Sequence, residues 1–83
     1  MTEQITQLDI TLASLSEICN DITVPRNVRT HIQSLILTLK QDTELSIKVN
    51  KALNGLDEIS TDANLQPYTR TQIWNVMSLL EKL

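Results

Sequence analysis

The feature that most constrains this chain is an internal repeat: a shift of 41 positions superimposes the sequence on itself. It places Leu12 on Leu53, Leu15 on Leu56, Glu17 on Glu58, Ile18 on Ile59 and Asp21 on Asp62. The same offset matches Arg29 to Arg70, Thr30 to Thr71, Ile32 to Ile73 and Leu39 to Leu80. These are nine identities over the 28 ungapped positions from 12 to 39, with related pairs such as Val24 and Leu65 between them. One structural unit has been used twice.

Apolar spacing shows what the unit is. Ile5, Leu8, Leu12, Leu15, Cys19 and Ile22 recur at threes and fours, which lines one narrow stripe of a helix. After Pro25 the stripe resumes with Val28, Ile32, Leu35 and Leu39. The second copy repeats the pattern with Leu45, Val49, Ala52, Leu56, Ile59 and Ala63, then with Thr69, Ile73, Val76, Leu80 and Leu83 after Pro67. Each unit therefore reads as a helical hairpin. The expected fold is all-α: an antiparallel up-and-down four-helix bundle, one domain over residues 1–83, made of hairpins spanning about 1–41 and 42–83.

The breaks carry their own chemistry. Thr23 and Asn64 hold equivalent places before a proline and are expected to accept hydrogen bonds from the free N–H groups that open the next helix. Asp21 and Asp62 close the preceding helix while Arg29 and Arg70 lie in the first turns of the next, which predicts a salt bridge across each hairpin. The link between units, KQDT at 40–43, is short, and Asp42 or Thr43 is expected to cap the third helix. Gly55 aligns with Ser14, two small residues that suggest a close helix contact.

Composition then excludes most function classes. With 83 residues there is room for one hydrophobic core. One Gly and two Pro are too little turn chemistry for a sandwich or barrel. Seven Lys and Arg against ten Asp and Glu leave a net charge of -3, which disfavours broad contact with nucleic-acid phosphates or anionic lipid. Cys19 is the single cysteine, so no intrachain disulfide can form. No segment has the run of about 18 apolar residues that a membrane span requires, and MTEQITQLDI does not read as a signal peptide. A cytoplasmic protein that does not associate with membranes is the expectation.

No enzyme constellation is present. His31 and Cys19 lie on different helices without a third orienting group, and one glycine cannot build a phosphate loop. His31 aligns with the neutral Gln72 and is expected to be a partly solvated helical residue; Cys19 aligns with Ser60 and is expected to be a small buried residue. One His, one Cys and scattered carboxylates do not make a metal site, and no cofactor is expected. Glu17 and Glu58 recur in both copies and could form an acid and base pair, but a solvated helix face accounts for them more simply.

What remains for recognition is largely apolar. Trp74 stands where the first copy has Gln33, on a row with Arg70, Met77 and Glu81. A lone tryptophan in a bundle is expected first in the core and second as an interface anchor. Ile10, Ile36, Leu37, Ile47 and Leu79 also fall outside the narrow stripes, an apolar surplus that suggests association. Trp74 and Met77, with Arg70, Arg26 and Arg29, are the candidate partner-binding residues. The expected partner is a second copy, most simply in a homodimer, or another protein. The competing expectation is an RNA- or ribosome-associated accessory protein using Arg26, Arg29 and Arg70 as a local basic patch.

The two breaks also carry a family likeness. NDITVPRNVRT at 20–30 and LDEISTDANLQPYTRTQIWN at 56–75 closely resemble the uncharacterised protein family 0147 of small archaeal proteins, and the likeness covers nearly the whole chain. It implies a cytoplasmic four-helix bundle and no established activity. The family pattern places proline at the position of Gln66, whereas here it is Pro67. Each unit also resembles a HEAT-type helical pair, with an Asp near the turn and an Arg early in the second helix. Two units are too few for a solenoid, and this likeness favours a binding scaffold over a catalyst.

Overall fold

A computed structural model describes residues 3–83, with side-chain environments from residue 7 onward. Four helices account for nearly all of it: α1 (Glu3–Cys19), α2 (Arg26–Lys40), α3 (Leu45–Ser60) and α4 (Pro67–Glu81). Each helix packs on its two neighbours in the order α1, α2, α3, α4 and back to α1, while the diagonal pairs stay apart. The cross-section is thus a square, and the whole is 37 × 18 × 18 Å. The end of one helix lies beside the start of its neighbour, as Cys19 with Arg29, Asn27 with Asp62 and Ser60 with Arg70 show, and Gly55 meets Leu35 midway, so sequential helices run antiparallel.

The repeat is visible in the hydrogen bonds. Asp21 N–H donates to the Ile18 carbonyl as Asp62 N–H does to that of Ile59, at 3.2 and 3.0 Å. Val24 N–H donates to the Asp21 carbonyl as Leu65 does to Asp62, and Arg29 N–H to Pro25 as Arg70 does to Gln66. Gln66 and Pro25 therefore occupy the same structural position, so moving the proline to Pro67 leaves the start of α4 where the repeat puts it. Pro67 sits at the first helical position, where its missing N–H has no intrahelical partner to lose.

The core is the aliphatic stripe seen in both copies. Leu15, Ile18, Val24, Ile32, Leu35 and Leu39 are buried, and so are their equivalents Leu56, Ile59, Leu65, Ile73, Val76 and Leu80. Thr11 is the buried polar member of α1, and its hydroxyl donates to the Gln7 carbonyl at 2.8 Å, so it packs without an open donor. The stripe overruns the helices at two places. Ile22 and Ala63 continue the spacing but fall in the turns after α1 and α3, and Ile22 is 86% exposed. Ile5 lies in α1, with its side chain outside the described ones.

The capping expectations are also corrected. Pro25, Glu44 and Gln66 hold the positions that open α2, α3 and α4, and none makes a side-chain capping bond. Asp42 and Thr43 lie one or two residues too early to cap α3. Thr23 and Asn64 are donors rather than acceptors: their N–H groups bond to Oδ1 of Asp21 and Asp62, at 2.9 and 2.8 Å. The aspartates fold each turn because a short carboxylate reaches the N–H two residues on.

Gly55 makes a close contact, but not with α1, which lies diagonally across from α3. Its neighbour is Leu35 of α2: a Cβ built on Gly55 would lie 2.7 Å from Leu35 Cδ2 and 3.2 Å from Cδ1. Leu35 is itself buried, so its isobutyl group has little room to retreat. Ala for Gly would gain about 1 kcal/mol of helix propensity, and overpacking would cost about 1–3 kcal/mol. Gly55→Ala is therefore expected to lower stability by about 1 kcal/mol in urea denaturation, with Leu35→Val in the same chain recovering part of the loss.

Candidate functional site

The candidate residues occupy two clefts. On α4, counting 100° per residue, Arg70, Trp74, Met77 and Glu81 share one side. That side faces α3, because the Arg70 guanidinium donates from Nε to the Ser60 carbonyl and from Nη2 to the Asp62 carbonyl, both at 3.0 Å. On α2, Arg29 lies toward α1: the Cys19 thiol donates to the Arg29 carbonyl at 3.6 Å, and Cys19 lines a recess with Arg26, Arg29, Thr30 and Gln33. In a square bundle the α1/α2 and α3/α4 clefts are on opposite sides. Arg26 and Arg29 are brought together, and Arg70 is separated from them.

The Arg70 contacts replace the expected salt bridge. Ser60 is the last residue of α3, so its carbonyl has no intrahelical donor and sits at the negative end of the helix, while the Asp62 carbonyl in the turn accepts Arg70 alongside the Leu65 N–H. Asp62 is engaged elsewhere: Oδ1 accepts the Asn64 N–H, and Oδ2 accepts the Asn27 side-chain amide at 3.3 Å, which ties the two hairpin ends together. In the first copy Asp21 Oδ1 accepts both the Thr23 hydroxyl, at 2.6 Å, and the Thr23 N–H. Those two hydrogen bonds, the hydroxyl first, hold the Asp21 carboxyl below its ordinary range against a small opposing effect of desolvation. Arg29 does not repeat the Arg70 arrangement, and its buried Nε has no hydrogen-bond partner.

Trp74 is not a core residue. The residue is 54% exposed, because the α4 positions that face the bundle axis are Thr69, Ile73, Val76 and Leu80, and Trp74 lies well round the helix from them. Met77 is half-buried against the core. Farther along the same cleft, Leu45, Val49, Leu53, Leu80 and Leu83 line a groove of about 470 Å3, bordered by Ser46, Asn50 and Glu81. Ile10, Leu37 and Ile47 are exposed as the stripe arithmetic predicts, whereas Ile36 and Leu79 are half-buried. Tyr68 is exposed and is absent from the sequence candidates; its place off the Thr69, Ile73, Val76 and Leu80 stripe, next to Pro67 at the start of α4, is the signal that could have found it.

The remaining candidates do not assemble into chemistry. Cys19 is half-buried beside the core; burial pushes its thiol up from the ordinary value, partly countered by the Arg29 charge. His31 is half-buried in a cleft with Asn27, Glu58 and Asp62, and Glu17 and Glu58 are both exposed on different helices. Among the described residues no group of three His, Cys, Asp or Glu side chains could hold a metal ion, and no helix is long and apolar enough to cross a membrane.

Comparison with known proteins places the chain. It matches Uncharacterised protein family (UPF0147) over residues 1–83. The chain belongs to this family. Similar UPF0147 proteins come from archaea: MJ1419 of Methanocaldococcus jannaschii is 44% identical over 70 residues, covering 83% of this chain and 75% of the relative. That of Archaeoglobus fulgidus is 40% identical over 76 residues, covering 92% and 87%. The crystal structure of the unknown function protein MMP1188 has the same fold, with a TM-score of 0.87 and 38% identity over 93% of this chain and 89% of that one. The family is described as uncharacterised and the structural neighbour as a protein of unknown function.

Two outcomes follow from the unequal arginines and turns. Arg70→Met is expected to cost about 2 kcal/mol, since hydrogen bonds from a charged group are worth about 1.5–3 kcal/mol. Arg29→Met is expected to cost well under half of that, and thermal or urea unfolding of both variants reads the difference. In the second, an NMR titration of the folded protein should find Asp21 ionising below the unfolded carboxylate value. Its contribution to stability is then fully present above the unfolded pKa and lost as pH falls through the lower folded one.

Proposed function

We propose that this protein is an interaction module that assembles with a second copy of itself through the α3/α4 face. The observation that carries the reading is the place of Trp74: a largely exposed indole beside Met77, on the side of α4 that continues into an apolar groove. A bundle that needed this ring for its own core would have turned it inward. An exposed tryptophan is the residue type that most often dominates association energies.

Size and symmetry agree with the reading. A face of 37 by 18 Å is of the order needed for the roughly 800 Å2 per partner that stable pairs bury. Two copies related by a twofold axis would set the same face on itself, each supplying a ring to the other's groove. Ser46, Asn50 and Glu81 would then form the wet border. The RNA-accessory reading has less support: its three arginines divide between opposite clefts, Arg70 is engaged by backbone carbonyls, and the chain carries a net charge of -3.

Sedimentation of the full chain over a wide concentration range tests this. A reversible dimer is expected, with Trp74 fluorescence shifting to the blue as it forms. Trp74→Ala is expected to weaken the dimer by at least about tenfold, or 1.4 kcal/mol, while changing monomer stability little because the ring is outside the core. A strict monomer up to about 1 mM with solvent-exposed indole emission throughout would overturn the proposal.

A further inference from the structure

The single glycine leaves a chemically reactive dipeptide in the chain. Leu35 holds position 55 to glycine, because a Cβ there would lie 2.7 Å from Leu35 Cδ2. The residue before it is Asn54, so the close packing of α2 on α3 brings an Asn–Gly pair with it. Glycine has no side chain to shield its backbone nitrogen or to restrict its rotation. Wherever the backbone is free, that nitrogen can attack the side-chain amide carbon of the preceding asparagine. The other asparagines, Asn20, Asn27, Asn50, Asn64 and Asn75, precede Asp, Val, Lys, Leu and Val, whose side chains crowd the approach.

The fold closes this chemistry in three ways. Asn54 and Gly55 lie inside α3, more than a turn from either end. Ring closure needs Cβ and the Gly55 nitrogen nearly eclipsed about the Asn54 Cα–C bond, a backbone rotation that helical dihedrals exclude. An interior helical N–H also donates to the carbonyl four residues earlier, here that of Lys51, so the nitrogen is engaged and resists deprotonation. Lastly, Gly55 is buried beneath Leu35 while Asn54 is exposed. Solvent base reaches the side-chain amide and does not reach the nitrogen that would attack it.

We propose that Asn54–Gly55 is a conformationally gated modification site, inert in the folded bundle and converted through a succinimide when α3 opens. In the first step the Gly55 nitrogen gives its proton to solvent base and attacks Asn54 Cγ. The bond from Cγ to the side-chain nitrogen breaks, and ammonia leaves. Water then opens the ring at either carbonyl, giving aspartate or isoaspartate, and both carry a negative charge that asparagine lacks. The isoaspartate route also adds a carbon to the main chain. That changes the ring size of the helical hydrogen bonds, so α3 cannot again set Gly55 beneath Leu35. A chain that has opened is thereby marked permanently. Opening of α3 sets the rate, since the Asn54 side chain is already exposed. The site stands whether or not the chain self-associates.

The test is incubation of the full chain in mildly alkaline, reducing buffer, folded and in guanidinium chloride, with peptide mapping by mass spectrometry and an isoaspartate assay. In denaturant, Asn54 is expected to convert ahead of every other asparagine. In the folded chain conversion is expected to be at least about a hundredfold slower, because the rate then follows the open fraction. Gly55→Ala is expected to suppress the reaction in denaturant, where its effect on folding plays no part. Leu35→Ala removes the cover from Gly55 and is expected to speed conversion in native buffer. If that variant does not fold, denaturant below the unfolding transition is expected to raise the wild-type rate in step with hydrogen exchange of the α3 amides. Equal rates in folded and unfolded chains, another asparagine reacting first in denaturant, full reactivity of Gly55→Ala, or complete recovery of helicity by isoaspartyl chains would overturn the proposal.

Discussion

The structure depends on one constraint: four narrow helices must together exclude water from a single aliphatic seam. Leu15, Ile32, Leu39, Leu56, Ile73 and Leu80 are all fully buried, and they are three repeat pairs contributed by all four helices. Each such side chain is worth roughly 1.5–3 kcal/mol when removed from water. A helix of 15–17 residues has too little intrinsic stability to stand without that burial. The square arrangement lets each helix give one face to the seam and two flanks to its neighbours. Gly55 and Leu35 show how tightly the flanks meet, since α2 approaches α3 where a side chain is absent.

The hairpin ends hold the seam in register, and they do so with backbone-directed bonds. Asp21 and Asp62 fold the turns by accepting N–H groups two residues on, and Asn27 joins α2 to the far turn through Asp62. Arg70 closes the end of α3 by donating to the Ser60 carbonyl and to that of Asp62 in the turn beyond. Charge pairing between side chains, which the Asp and Arg spacing suggests, is replaced by these contacts because the Ser60 carbonyl at the end of α3 lacks an intrahelical donor and the Asp62 carbonyl has a second lone pair within reach. The copies share the core and the turn, and they differ on the outside. Function is accordingly sought where Arg26 became Pro67, Gln33 became Trp74 and Cys19 became Ser60.

Much of the fold was legible in the sequence, and its errors have physical causes. Periodicity cannot see where a helix stops, so Ile22 and Ala63 looked like further steps of a stripe that had already ended. Spacing could say that an aspartate and an arginine are close, but not that Thr23 or Asn64 would claim the carboxylate first. Trp74 was a candidate from its type, whereas its exposure depends on how far α4 is rotated about its own axis. The candidate arginines could be counted in sequence. Their division between two clefts could not, because it follows from which helices are neighbours in the square.

The chain by itself determined two copies of a 41-residue hairpin, four helices and the identity of the core, because repeat and periodicity are properties of residue order. Only the tertiary structure decided that α1 and α3 lie diagonally across the bundle, that Gly55 meets Leu35, and that Arg70 is satisfied while the Nε of Arg29 is not. Hydrogen bonds depend on distances of about 3 Å between groups far apart in sequence. Two arginines with the same local context can therefore differ completely once their neighbours are in place.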